Sequence, residues 1–175
     1  MRSMTSPAAL LLALATTSVF AAGRCTGFKW DVSKEVALFD TASLALTAGK
    51  SAEASPAIEP DRLYGLQLQP QTEVTFAVTP GRSTARDGSF AGLALLTLKT
   101  PGNYRVAVDT PLWIDVVVKG QLATVTDYQG QQNCEGPHKI VEFDLAGATQ
   151  FIVQLSGANA ASIRLTVTKA RARAQ

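Results

Sequence analysis

The fold is decided by residues 104–119, which read YRVAVDTPLWIDVVVK. Apolar and polar side chains alternate in the first half of this stretch. After the break at Thr110 and Pro111 the alternation resumes with Leu112 and Ile114. A period of two residues is typical of β-strands that bury one face. We therefore predict two adjacent strands across a tight break, in the middle of an antiparallel sandwich.

Other segments repeat this alternation, and residues 90–98 are apolar in both phases, as in a strand that is buried on both faces. Residues 80–88 and 127–138 are rich in turn formers and predict long loops. The fold class that we expect is all-β: an antiparallel β-sandwich, jelly-roll-like or another Greek key, with about nine strands. Further strands are predicted at residues 64–68, 74–78, 90–98, 122–126, 141–145, 151–155 and 163–167.

The alternation also predicts which side chains form the core. Within each strand the apolar phase should face the opposite sheet, because successive side chains point to opposite faces. The predicted core residues are Tyr104, Val106, Val108, Leu112, Ile114, Val116, Phe143, Val153 and Leu165.

The pattern is irregular before residue 56. Residues 26–39 fit either a short helix, at about 33–39, or an irregular strand, and residues 40–55 predict a surface excursion with at most one short strand near 44–46. We expect one sandwich domain over residues 24–168, irregular to about residue 55. Residues 169–175 are basic and lack apolar anchors, so they predict a flexible tail.

The N-terminus has the pattern of a secretory signal peptide. A short basic start is followed by an apolar run at residues 8–20 and then by small residues. Residues 1–23 therefore predict a cleaved signal, with the cut before Ala22 or before Arg24. Cys25 also suggests a lipid anchor, but Arg24 stands where a small residue normally precedes a lipid-modified cysteine. A periplasmic or secreted protein is expected.

Charge and length limit the partners. The chain of 175 residues carries a formal charge of +2, which falls to near +1 once Arg2 is removed with the signal. This balance favours neither nucleic acid nor an anionic membrane as a partner. After the signal, no apolar run has the length of a transmembrane helix. The residues that remain after signal cleavage are enough for one domain with a hydrophobic core and too few for two.

The cysteine count predicts one disulfide. Cys25 and Cys134 are the only two cysteines of the chain. An oxidising compartment favours joining them, whereas free or metal-binding thiols are the alternative. The bond would close a loop of over a hundred residues, which the chain-entropy model values at about 4–5 kcal/mol.

Several motifs resemble a family of small exported proteobacterial proteins of unknown function. They are FAGL at 90–93, PGNYRVAV at 101–108, LWIDVV at 112–117 and CEGPHKIVEF at 134–143. The resemblance extends over residues 56–168. Members often carry two histidines just before the cysteine, at positions where this chain has Tyr128 and Gly130.

Some relatives in that family bear the label homogentisate 1,2-dioxygenase, which implies a mononuclear non-haem iron site. Such a site takes two histidines and one carboxylate. This chain contains a single histidine, His138. We therefore expect no cofactor and no catalytic metal.

The candidate ligand-binding residues lie on the central strands. Trp113 and Asp115 occupy the phase opposite Leu112 and Ile114, so an aromatic stands beside a carboxylate. The sugar-binding hypothesis joins them with Arg105 and Asp109 from the adjacent strand, because an aromatic ring stacks on a pyranose while charged groups bind its hydroxyls. The structural alternative packs Trp113 under the N-terminal excursion and pairs Asp115 with Arg105 across the strands.

Two further kinds of site lack part of their usual sequence pattern. A hydrolase around His138 needs a nucleophile and an orienting carboxylate, and no Gly-x-Ser-x-Gly elbow is present. Calcium needs clustered oxygen ligands, and no compact acidic run brings them together. The acidic candidates for calcium are Asp109, Asp115, Asp127, Glu142 and Asp144.

The sequence thus favours a non-catalytic exported binding or accessory protein. Its partner would be a small molecule, a glycan or a periplasmic protein. A carbohydrate-binding module that uses the Trp113 face is the main alternative. An enzyme, either the labelled oxygenase or a hydrolase around His138, comes third.

Overall fold

The computed structural model describes residues 27–131, 134 and 136–171. The predicted signal peptide and Cys25 lie outside the described residues. One helix, α1, spans Ser33–Phe39, and a 3₁₀ turn spans Gln71–Glu73. The strands in the described part are β1 Leu44–Thr47, β2 Ala57–Ile58, β3 Leu63–Gln67, β4 Gln69–Pro70, β5 Phe90–Thr97, β6 Asn103–Val108, β7 Trp113–Val118, β8 Gln121–Leu122, β9 Val125–Gly130, β10 Lys139–Asp144, β11 Gln150–Ala158 and β12 Ser162–Lys169.

These strands form two six-stranded sheets that pack together as a sandwich, which confirms the predicted fold class. Sheet A has the order β1-β3-β12-β6-β10-β9, and sheet B has the order β2-β5-β11-β7-β8, with β4 also paired to β5. Both sheets are mixed, because β1 pairs in parallel with β3 and β2 with β5. The remaining strand pairs are antiparallel. The described residues form twelve strands in place of the predicted nine or so, chiefly because short strands such as β2, β4 and β8 leave little periodic signal.

The core lies between the sheets and contains all nine predicted residues, each at most 7% exposed. The register of β11 with its two neighbouring strands shows why these side chains pack together. Val153 on β11 lies opposite Ala94 on one side and Val116 on the other, so three neighbouring strands present side chains to the same face. Alternation was therefore sufficient to identify the buried phase of β6, β7, β10, β11 and β12, whereas β5 is apolar in both phases.

The predicted pairing of the two central strands is wrong. β6 lies in sheet A between β12 and β10, whereas β7 lies in sheet B between β11 and β8. Both edges of β6 are occupied, so residues 109–112 cross from one sheet to the other. A crossover and a hairpin both bury alternate residues in the same core, and the sequence pattern is therefore identical for the two.

Two other segments differ from their predictions. Residues 74–78 form no strand; they cross the outer face of sheet B, where the buried Gln154 side chain bonds to the backbone of Ala77 and Val78. The predicted loop at 127–138 instead begins within β9, an edge strand that pairs with β10. Edge strands form through backbone hydrogen bonds on one side and need few apolar side chains.

The N-terminal segment covers the outer face of sheet A. Of the two alternatives for residues 26–39, the short helix is the one that forms, and β1 matches the strand predicted near 44–46. A small second core joins this segment to the sheet. It contains Val32, Phe39, Leu63, Ala107 and Ile140.

The C-terminal strand is longer than predicted, because β12 includes Lys169, and Arg171 pairs with Asp31. Residues 172–175 of the predicted tail lie outside the described residues. Among the described residues, no helix is long and apolar enough to cross a membrane.

Candidate functional site

A cleft of about 520 Å³ opens between the sheets at the side formed by β7, β9 and β10. Its volume lies in the range of small-molecule sites, and it borders the sandwich core. We refer to it as the Trp113 cleft. It is lined by Arg82, Pro111, Leu112, Trp113, Ile114, Val125, Tyr128, Gly130, His138, Lys139 and Val141.

The floor of the Trp113 cleft is the margin of the hydrophobic core. Leu112, Ile114 and Val141 belong to the main core cluster and also line the cleft. Tyr128 lies directly opposite Val141 in register, so the two side chains share the inner face of sheet A. Tyr128 nevertheless remains 67% exposed, and its neighbour Val125 is 44% exposed. The sheets therefore do not close at this side, and an apolar ligand can reach the core margin.

Lys139 places a cation beside this apolar floor. It stands two residues before Val141 on β10 and so shares the inward phase. Its Nζ donates a hydrogen bond to the Leu112 carbonyl at 2.9 Å and lies 5.0 Å from the centroid of the Trp113 ring. Burial, reinforced by the nearby charge of Arg82, holds the pKa of Lys139 below its usual range, while Asp115 acts in the opposite direction.

Trp113 is held in place by Asp115. The indole Nε1 donates to Asp115 Oδ1 at 2.9 Å, and the backbone N–H of Gly81 donates to Asp115 Oδ2 at 3.0 Å. Asp115 is only 5% exposed. A Cβ at Gly81 would lie 3.1 Å from Asp115 Oδ1, so the lack of a side chain permits this close approach. The pair fixes both the indole and the loop that follows Pro80.

Arg82 brings a second cation to the same indole. Its guanidinium carbon lies 5.8 Å from the Trp113 centroid, and its side chain also lines an adjoining pocket of about 350 Å³ that contains Arg86. Within the part of the chain that the structure describes, neither Arg82 nor Lys139 forms an ion pair with a carboxylate. Among the described residues, the Trp113 cleft thus has two cations without an ion pair, and Asp115 is a nearby carboxylate that favours the charged form of Lys139.

Arg105 does not contribute to this cleft. It lies on the outer face of sheet A under the N-terminal segment, 6% exposed. Its Nε donates to Glu142 Oε2 at 3.0 Å, and its Nη1 donates to the Asp31 carbonyl at 3.1 Å and lies 3.6 Å from Glu35 Oε1. The predicted platform of Trp113, Asp115 and Arg105 is not formed, because β6 and β7 belong to different sheets. For the same reason Asp115 does not pair with Arg105.

Asp109 is a structural anchor at the end of β6. Its Oδ1 accepts from the Arg164 backbone N–H at 2.9 Å, and its Oδ2 accepts from Arg164 Nε at 2.8 Å. These bonds tie the crossover between the sheets to β12. Asp109 is not among the residues that line the Trp113 cleft, and both of its carboxylate oxygens already accept bonds from Arg164.

The other candidate residues are dispersed. His138 lines the Trp113 cleft, but among the described residues its ring makes no hydrogen bond to a serine or a carboxylate. The acids considered for calcium have separate roles, such as Asp127 with Lys29 and Glu142 with Arg105. No group of three or more potential metal ligands occurs in the described ranges.

Lys139 was not among the predicted site residues, although its position in the sequence carries a signal. A lysine in phase with Val141 and Phe143 predicts a cation on an inward-facing strand position, which is unusual enough to mark a site. Arg82 and Tyr128 had no such signal, because both lie in segments that were predicted to be loops.

No protein-family model matches this chain, and a search of the curated proteins finds no match. The resemblance to the exported proteobacterial family therefore stays a prediction.

Proposed function

We propose that this chain is a non-catalytic, exported binding protein whose small-molecule ligand occupies the Trp113 cleft. The observation that carries the proposal is the exposed inner face at the edge of the sandwich, where Tyr128 is 67% exposed beside core residues. Concave sites with an apolar lining and a few polar groups are typical of ligand sites. Export rests on the signal-like residues 1–23.

A carbohydrate-binding module remains the second candidate, because Trp113 lies beside Asp115. The detailed contacts give it less support. Both oxygens of Asp115 already accept hydrogen bonds, one of them from the indole itself, and Lys139 and Arg82 lie over the ring. A sugar would have to displace these groups to stack on the indole. An enzyme has weaker support still, since His138 has neither a nucleophile nor a carboxylate bonded to it in the described part of the chain.

Native mass spectrometry of protein exported from the full-length chain tests the proposal. We expect the mature protein to retain a small molecule, and Val125→Trp to abolish retention by filling the mouth of the cleft. Leu44→Trp is the matched control, because Leu44 is 47% exposed on β1, the opposite edge strand of the same sheet. Retention that survives Val125→Trp, or is lost equally in both variants, would contradict a site in this cleft.

A further inference from the structure

We propose that the ligand of the Trp113 cleft is an amphipathic carboxylate, with its apolar body on the cleft floor and its carboxylate between Lys139 and Arg82. This inference rests on the proposed function and adds the ligand's chemical class. It joins two properties of one cavity, an accessible apolar floor and two cations at its rim.

Two cations share one indole in this cleft. Lys139 and Arg82 approach the Trp113 ring at 5.0 and 5.8 Å. Burial and, to a smaller extent, the charge of Arg82 disfavour the protonated form of Lys139, while Asp115 favours it. A carboxylate placed between them would relieve this repulsion and accept charge-assisted hydrogen bonds from both. Lys139 uses one of its three N–H donors on the Leu112 carbonyl, so donors remain for a ligand.

Trp30 provides a contrast within the same molecule. It also has two cations over its ring, Lys29 at 5.0 Å and Arg105 at 4.9 Å. Those cations are neutralised by the protein itself, since Lys29 pairs with Asp127 and Arg105 with Glu142. The cations beside Trp113 have no carboxylate paired to them in the described residues.

The cleft also has an apolar lining. Ile114 and Val141 lie on its floor, and the more exposed Val125 lies at its mouth, so an alkyl or aromatic group can leave water there while the carboxylate contacts the cations. Two other cavities in the described part of the chain do not combine these features. A groove of about 430 Å³ on sheet B has Glu53 and Lys119, of opposite sign, and a pocket of about 400 Å³ beside β1 has no charged lining residue.

The test uses four probes, octanoate, 1-octanol, octylamine and acetate, and observes the two indole N–H resonances by NMR. The chain has two tryptophans, and Trp30→Phe assigns the resonances. We expect octanoate to shift the Trp113 signal saturably and to leave that of Trp30 unchanged. Octanol should bind more weakly than octanoate because it lacks the carboxylate, and acetate should bind more weakly because it lacks the long alkyl chain.

Variants then test the cations. Lys139→Met should weaken octanoate binding about tenfold, as expected for the loss of one charge-assisted hydrogen bond, with octanol unaffected. Arg82→Gln should also weaken octanoate binding. It should not impair folding, because Arg82 is exposed. Lys99→Met, an exposed lysine away from the cleft, is the matched control and should bind octanoate normally.

The outcomes separate the two proposals. Octanol or octylamine binding as tightly as octanoate would overturn the carboxylate inference and leave a binding cleft standing. Acetate equal to octanoate, or equal shifts at Trp30 and Trp113, would also overturn it. If none of the probes shifts Trp113, the carboxylate inference fails. The proposed binding function then fails only if the exported protein also retains no small molecule that Val125→Trp removes in native mass spectrometry.

Discussion

Ile114 belongs both to the core and to the floor of the Trp113 cleft, and it is 2% exposed. Truncation to alanine removes buried methylene groups and leaves a cavity, so we expect the free energy of unfolding to fall by about 2–5 kcal/mol. Chemical denaturation measures this change. Leu44→Ala, at a 47% exposed site, should change it by no more than about 0.5 kcal/mol. A near-neutral Ile114→Ala would contradict the assigned phase of β7.

Arg105 is the buried cation of the outer face of sheet A, where it contacts both Glu142 and Glu35. Its removal leaves buried carboxylates without their counter-charge, and such losses cost about 3–5 kcal/mol. We expect Arg105→Ala to lower the free energy of unfolding by that amount in urea denaturation. Arg62→Ala, at an exposed position, serves as the control. Equal effects of the two variants would show that the buried cluster contributes no specific stability.

Residue by residue, the sequence predicted the core better than the site. Alternation identifies an inward position whatever the strand pairs with, so Val106, Val116 and Val153 were assigned correctly. A site depends on which strands become neighbours. Arg105 and Trp113 are close in sequence but lie in different sheets, whereas Lys139 and Trp113 are distant in sequence and meet at 5.0 Å.

The Gln154 side chain holds residues 74–78, which form neither helix nor strand, against sheet B. It is 0% exposed; its Oε1 accepts from Ala77 N at 3.0 Å and its Nε2 donates to the Val78 carbonyl at 3.1 Å. Gln154→Leu should leave these backbone groups unpaired, and we expect faster amide hydrogen exchange at residues 77–78 with a loss of about 1–3 kcal/mol of stability. Gln150→Leu, exposed on the same strand, is the control. Unchanged exchange would show that other contacts hold the segment.

The same segment shows why element boundaries were missed. Val74, Phe76 and Val78 alternate as a strand does, and all three are half-buried on the outer face of sheet B. Alternation shows that one side of a segment is buried. It does not show that a partner strand is hydrogen-bonded to that segment. β9 is the converse case, because its pairing with β10 is made by backbone groups that leave no trace in the side-chain pattern.

For the molecule as a whole, we predict a disulfide between Cys25 and Cys134, with Cys25 outside the described residues. Thiol titration of the denatured, unreduced mature protein should find no free thiol. Reduction should destabilise the fold by up to about 4–5 kcal/mol, and the double variant Cys25→Ser/Cys134→Ser should match the reduced protein and be insensitive to reductant. Two reactive thiols in the exported protein would contradict the bond.

For the whole protein, we predict that the mature chain binds no catalytic transition metal and cleaves no aromatic ring. An iron site for oxygen activation needs two imidazoles and a carboxylate on one side of the metal, with open positions for oxygen and substrate. The chain has one histidine. Cysteines joined in a disulfide offer no thiolate, and carboxylates alone favour calcium or magnesium.

Metal analysis followed by oxygen uptake with homogentisate and added Fe(II) tests this prediction. We expect substoichiometric iron and no uptake above that of iron alone, both in the native protein and in His138→Ala. The Trp113 cleft contains His138, so a carboxylate substrate bound there would sit beside the chain's single imidazole. Stoichiometric iron, together with turnover that His138→Ala abolishes, would contradict this prediction. It would show that the Trp113 cleft is the site of an oxygenase and not of a binding protein.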